Sequence, residues 1–283
     1  MKILKTTIVL LLLINSISTY AQTSLNFNKL FVECEDKWVA FQMSEDSTYT
    51  YGFIYIDSQA GLTLNREGDF RISLNGLFTP EKMDSFNVKY RLEPNNVKVA
   101  IIPSSKYEEL QIEKIPNWLH FYKTDSDSID RLYRWGYMYN GWNMCDTALT
   151  FLEKAYKINP KYKGLEVELA FSYNCLGKYD EAITTLRRAV ESTPKDAYTN
   201  KELIYSLVKS GQLDKAKESC RKAAKVCSDK TYNGENYYNI LVEYYLRKDE
   251  VNFKLWLKEA EKWIKGNDKI EYNIELMTKE LKK

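Results

Sequence analysis

KGLEVELAFSYNCLGKYDEAITTLRRAVESTP, residues 163–194, reads as two helices folded back on one another. Leu165, Leu169, Ala170 and Tyr173 recur at the three-and-four spacing that puts side chains on one face of a helix. Gly177-Lys178-Tyr179-Asp180 then breaks the period, and Ala182, Leu186 and Ala189 restart it on a second helix that Pro194 ends. Small residues allow close helix approach, and large ones fill the space between neighbours.

The same arrangement stands on both sides of this stretch. Leu132, Trp135, Gly136 and Tyr139 followed by Ala148, Leu152 and Ala155 repeat it upstream, and Pro160 lies 34 residues before Pro194. Leu203, Ile204 and Leu207 followed by Ala216, Cys220 and Ala223 repeat it downstream, with Gly211-Gln212-Leu213-Asp214 at the turn. A fourth unit carries Tyr237, Ile240, Leu241 and Tyr244, then Phe253, Leu257 and Ala260, after an insertion of three residues around Thr231–Asn236. A fixed step of this length marks a stacked array, in which one hairpin buries its apolar face only against the next. Ile270, Ile274, Met277 and Leu281 place an amphipathic helix at the end as a cap.

On these residues the segment 129–266 resembles four tetratricopeptide repeats, at 129–162, 163–196, 197–230 and 234–266, with a capping helix over 267–283. The resemblance implies a superhelix whose concave face, formed by the first helix of each unit, binds a protein or peptide. Carried over, that face is Tyr133, Tyr137 and Asn140, then Val167, Phe171 and Asn174, then Lys201, Tyr205 and Lys209, then Tyr238, Val242 and Tyr245. Tyrosine rings cover apolar side chains, amides hold a peptide backbone and lysines take an acidic group. Cytosolic relatives grip a chaperone's terminal carboxylate through Asn and Lys. Tyr137 and Phe171 stand where the first clamp Asn is expected, which argues against that partner.

The N-terminal part, 23–124, changes to an alternating period. Lys37–Met43, Thr48–Asp57, Gly61–Asn65, Asp69–Leu74, Phe86–Leu92 and Val97–Ile102 read as strands, with turns at Ser58–Gly61, Arg66–Asp69, Asn75–Gly76 and Glu93–Asn96. Short connections imply an antiparallel meander. Ser105 and Glu108 have capping-box spacing, so a short helix is expected to Lys114, before Pro116. Asp125-Ser126-Asp127-Ser128 reads as a linker, without the glycine and terminal glutamate of a calcium loop. The expected fold class is therefore α+β in two domains.

Residues 1–22 read as a signal peptide: Lys2 and Lys5, the apolar run Ile8–Ile14, and a small residue at Ala21 before Gln22. The run is shorter than the roughly 20 residues that span a bilayer, so the expected product is exported, to the periplasm or outside the cell, with no retained membrane anchor. Five cysteines, Cys34, Cys145, Cys175, Cys220 and Cys227, are odd in number and irregularly spaced, and buried thiols are expected for most of them. Cys220 and Cys227 lie about 10 Å apart along one helix, too far to bridge.

Composition is that of a globular protein, 44% hydrophobic and 28% charged, with Lys+Arg 41 against Asp+Glu 39, so no nucleic-acid partner is expected. No cofactor, metal or catalytic residue is assigned. His120 is the single histidine, in the aromatic run Trp118–Tyr122, and is read as a core or edge-strand residue. Glycine-rich phosphate loops are absent, and Ser192-Thr193-Pro194-Lys195 falls on a repeat junction. The carboxylate pairs Glu33 with Glu35 and Glu108 with Glu109 carry no geometry by themselves. The reading is a non-catalytic interaction scaffold, the alternative being an envelope hydrolase with its chemistry in the β-domain and the repeats as a docking arm.

Overall fold

The computed structural model describes residues 25–57, 59–82, 88–123 and 128–281. The signal-peptide reading over 1–22, and most of the linker 125–128, lie outside the described residues. The fold is α+β: two compact units, one built around a sheet and one containing the α-helices.

The sheet has strands β1 (Lys37–Ala40), β2 (Tyr49–Asp57), β3 (Gly61–Ile72), β4 (Phe78–Lys82), β5 (Val88–Arg91) and β6 (Ala100–Ile101), in the order β4-β3-β2-β1-β6, with β5 also paired to β3. β2 is almost continuously apolar and buried on both faces from Tyr51 to Ile56, which its central place in that order requires. Its rings build the core. Trp38 meets Phe53 edge-on at 5.2 Å, Tyr51 meets Phe70 at 5.5 Å, and Phe70 stacks on Phe78 at 4.9 Å.

This unit differs from expectation in three places. The strands read at Gly61–Asn65 and Asp69–Leu74 are one strand, because Gly68 does not turn the chain. It pairs with Lys82 of β4, and a Cβ on it would collide with the Glu81 carbonyl. β4 itself is a strand the periodicity does not predict: Phe78-Thr79-Pro80 carries a proline, which the sheet tolerates because β4 is an edge strand. The helix expected over Tyr107–Lys114 is a short 3-10 turn at Ser104–Lys106 followed by tight turns, which Gln111 ends in a left-handed conformation.

The helices are α1 (Ile129–Gly141), α2 (Cys145–Ile158), α3 (Leu165–Cys175), α4 (Tyr179–Ser192), α5 (Ala197–Lys209), α6 (Leu213–Val226), α7 (Asn233–Leu246), α8 (Glu250–Ile264) and α9 (Asp268–Leu281). Ser128, Asp196 and Asp249 accept from the backbone N–H three residues on and so cap α1, α5 and α8. Consecutive helices pack as antiparallel hairpins around one alanine series. Ala155, Ala189, Ala223 and Ala260 are all buried. At Gly136 a Cβ would overlap the side chain of Leu152, which is why α1 and α2 approach through a glycine. α9 buries Ile274 and Met277 on the end of the array, the capping role read from its sequence.

The first helix of each unit ends in one left-handed residue, at Asn143, Gly177, Gly211 and Lys248. In each, the next amide returns to the carbonyl five residues back: Met144 to Tyr139, Lys178 to Tyr173, Gln212 to Leu207 and Asp249 to Tyr244. Glycine takes this conformation freely, whereas a side chain costs about 1 kcal/mol or more. Lys248→Gly is therefore expected to stabilise the fourth hairpin by about 1 kcal/mol and Gly177→Ala to destabilise the second by as much. Chemical denaturation of both variants checks the pair of signs.

Candidate functional site

The first helices α1, α3 and α5 are joined by a buried polar ladder that repeats with the sequence. Asn140 Nδ2 donates to the Glu168 carbonyl and to Glu168 Oε2, both at 2.9 Å, while Ser172 Oγ donates to Asn140 Oδ1 at 2.7 Å. One repeat on, Asn174 Nδ2 donates to Glu202 Oε2 at 3.0 Å and Ser206 Oγ to Asn174 Oδ1 at 2.7 Å. Each rung satisfies an amide, a hydroxyl and a carboxylate together, as buried polar groups require. The next rung has Val208 in the amide place and, after the three-residue insertion, Glu243 in the hydroxyl place, so the ladder stops there.

This corrects the site reading at two residues. Asn140 and Asn174, expected to hold a peptide backbone, are buried and bind the next repeat instead. Tyr238 accepts from Asn273 Nδ2 at 3.1 Å, and Tyr245 donates to Glu280, so both are tied to the capping helix α9 while keeping part of their surface. The two amide positions face the neighbouring first helix, one step round from the groove face.

The remaining site residues keep surface. Tyr137 is 50% exposed, Lys209 is exposed, and Tyr133, Phe171, Lys201 and Tyr205 are half-buried. Tyr137, Phe171 and Tyr205 occupy the same position of three successive repeats, so they form one aromatic stripe. Lys209 Nζ sits 5.6 Å over the Tyr205 ring, which also meets Tyr179 edge-on at 6.5 Å. Lys201 is held inside the chain by Glu202 at 2.8 Å and Glu235 at 3.8 Å, against the rings of Tyr198 and Tyr232.

Beside the stripe lies a cavity of about 740 Å³, lined among others by Tyr133, Tyr162, Val167, Glu168, Arg188 and Tyr198. Glu168 is its buried carboxylate. Burial pushes its carboxyl up to about 7, against the Asn140 hydrogen bond and with the Glu202 charge. Tyr133 is likewise pushed up to about 12, by burial and then by Glu168. Groove reasoning from sequence reaches Tyr133 and Val167 but passes over Glu168. The Glu-x-x-x-Ser spacing shared by 168–172 and 202–206 is the signal that finds it.

Cys145 and Cys175 form a disulfide with Cα atoms 6.2 Å apart, which ties the start of α2 to the end of α3. The spacing of the cysteines alone does not predict that pairing. Cys34, Cys220 and Cys227 are buried thiols.

In the sheet unit two of the carboxylates singled out from sequence serve the backbone. Glu33 accepts from the Leu30 amide, and Glu109 from the Phe78 amide and Lys106. His120 is exposed on a 3-10 turn, Asn117–Phe121, not in the core or an edge strand as expected. Among the described residues no group of three His, Cys, Asp or Glu is placed to hold a metal ion, and no helix is long and apolar enough to cross a membrane.

Residues 145–201 match the sequence model of the tetratricopeptide repeat family. No curated protein matches the chain. Among solved structures, the chain is similar to MamA from Desulfovibrio magneticus RS-1 at 17% identity, over 50% of this chain and 78% of that one, with a TM-score of 0.43. It is also similar to YrrB, described as a TPR protein with an unusual peptide-binding site, at 21% identity over 53% and 76%, with a TM-score of 0.46. A thermophilic TPR protein of Thermus thermophilus aligns at 15% identity over 54% and 82%, with a TM-score of 0.43. The chain carries a tetratricopeptide-repeat segment, residues 145–201, within a longer array of helical hairpins.

Proposed function

We propose that this protein is a non-catalytic interaction scaffold that holds an extended peptide segment of a partner protein along the first helices of its repeats. The observation that carries the reading is the stripe Tyr137, Phe171 and Tyr205: large rings at one repeat position, three times over, kept partly in solvent while their neighbours are buried. Rings spaced by a rigid repeat suit a chain whose side chains alternate along its length. The triple variant Tyr137→Ala/Phe171→Ala/Tyr205→Ala is expected to lose at least about 10-fold in binding to an array of random dodecapeptides while melting close to the parent temperature. Undiminished binding by a folded triple variant overturns the proposal.

We further propose that the scaffold works outside the cytoplasm. Lys2, Lys5 and the apolar run that follows support export, and the Cys145–Cys175 disulfide is suited to an oxidising compartment. N-terminal sequencing of the mature protein is expected to begin at Gln22; an intact Met1 in the mature fraction overturns this part.

A further inference from the structure

The third repeat contains its own bound cation. Lys201 Nζ lies 2.8 Å from Glu202 Oε1 and 5.3 and 5.8 Å from the ring centres of Tyr198 and Tyr232, so an ammonium is bracketed by two aromatic faces over a buried carboxylate. The Asn174 amide that donates to that carboxylate, and the Ser206 hydroxyl that donates to Asn174 Oδ1, belong to the ladder.

The second repeat has the same carboxylate, amide and hydroxyl without the cation. Glu168 replaces Glu202, Asn140 replaces Asn174 and Ser172 replaces Ser206, in matching hydrogen bonds. Tyr198, at the start of the following first helix, lines this cavity, much as Tyr232, just before α7, lies against Lys201. The place of Tyr198 falls to Gly164, and the phenol of Tyr133 fills it: a Cβ on Gly164 would lie 2.7 Å from the Tyr133 hydroxyl oxygen. The lysine position is Val167. Tyr133, Val167, Glu168 and Tyr198 all line the one cavity of about 740 Å³. Among the described residues no Lys or Arg forms a salt bridge with Glu168, which is 7% exposed, although Arg188 on the cavity wall pairs with Glu166 at 3.1 Å. A carboxylate this buried ordinarily has a partner of opposite charge.

We infer that the Tyr133–Glu168–Tyr198 cavity binds an alkylammonium group, the side chain of a lysine in the bound peptide, in the position that Lys201 occupies one repeat later. The inference rests on the peptide-scaffold reading and adds to it a specificity: one basic residue beside the aromatic stripe.

The test uses the full chain and acetyl-Gly-Gly-Lys-Gly-Gly-amide, followed through the tyrosine ring resonances by NMR. Saturable shifts are expected with this probe, and binding at least about 10-fold weaker when lysine is replaced by norleucine or glutamate. Unblocked pentaglycine separates a terminal amine from a lysine side chain, and is expected to bind weakly by the same margin. Glu168→Gln removes the charge but keeps an acceptor for Asn140, and Val167→Lys supplies the missing cation from the chain itself; each is expected to abolish the lysine-specific binding while remaining folded. Binding that is unchanged in both variants, or equal for lysine and norleucine, overturns the inference. If the dodecapeptide array still responds to loss of the aromatic stripe in that case, the scaffold reading stands and only the cation site falls. Absence of all peptide binding removes both.

Discussion

Replacing Cys145 and Cys175 with alanine is expected to lower stability by about 3–4 kcal/mol, the loop-closure entropy of a cross-link whose ends are 30 residues apart in sequence. The bond joins the second helix of one hairpin to the first helix of the next, so the loss falls on one interface of the array. Neighbour-only contacts make each interface a separate contribution. The first hairpin should then unfold ahead of the others, and a single cooperative transition should split into two. Denaturant titration followed by Trp135 and Trp142 fluorescence, compared with the helical signal of the whole array, checks both the size and the splitting. Coincident transitions at the parent midpoint contradict it. Adding a reductant to the parent protein should reproduce the variant.

Glu168→Gln is the second large effect, and its sign depends on pH. Burial raises the folded carboxyl from 4.5 to about 7, so the charged form is disfavoured in the native state. Stability from this group is therefore present in full below about pH 4.5, and declines as pH rises through the interval to about 7. A shift of that size corresponds to up to roughly 3 kcal/mol. Glutamine has no proton to lose, so the difference in unfolding free energy between variant and parent should grow from near zero at about pH 4.5 to about 1–3 kcal/mol in favour of the variant at about pH 8. A flat difference across that range contradicts the assignment. A residue that weakens the fold at neutral pH, yet is replaceable by its own amide, is one that ligand binding would retain.

How much of this is legible in the sequence follows from the range of each interaction. The hairpins declare themselves because their contacts are local: Leu165 to Ala189 contains a whole unit, and the alanines return at the repeat step. The sheet pairs residues far apart, and Gly68 has the appearance of a turn unless its partner strand is known. Pro80 similarly hides an edge strand. The site is half legible. Tyr137, Phe171 and Tyr205 follow from helical phase alone. Asn140 and Asn174 fall one step out of phase, because a groove amide and an interface amide are the same residue type at neighbouring angles on the helix. The disulfide is legible in principle, since within the repeat frame Cys145 opens a second helix and Cys175 closes the following first helix. Counting cysteines without that frame leaves them unpaired.

The amide–carboxylate–hydroxyl ladder bears on how such a chain grows. Residues 163–196 hold both halves of the joint, Glu168 and Ser172 on the receiving side and Asn174 on the giving side. A tandem copy of this segment spliced between 196 and 197 would meet Asn174 with its own Glu and Ser, and present its own Asn to Glu202. Gene duplication at that point lengthens the array without any compensating substitution. Past the third hairpin, where Val208 and Glu243 interrupt the joint, an inserted copy has no matching end to fit. Lineages that vary the number of hairpins should therefore vary it on the N-terminal side of α5.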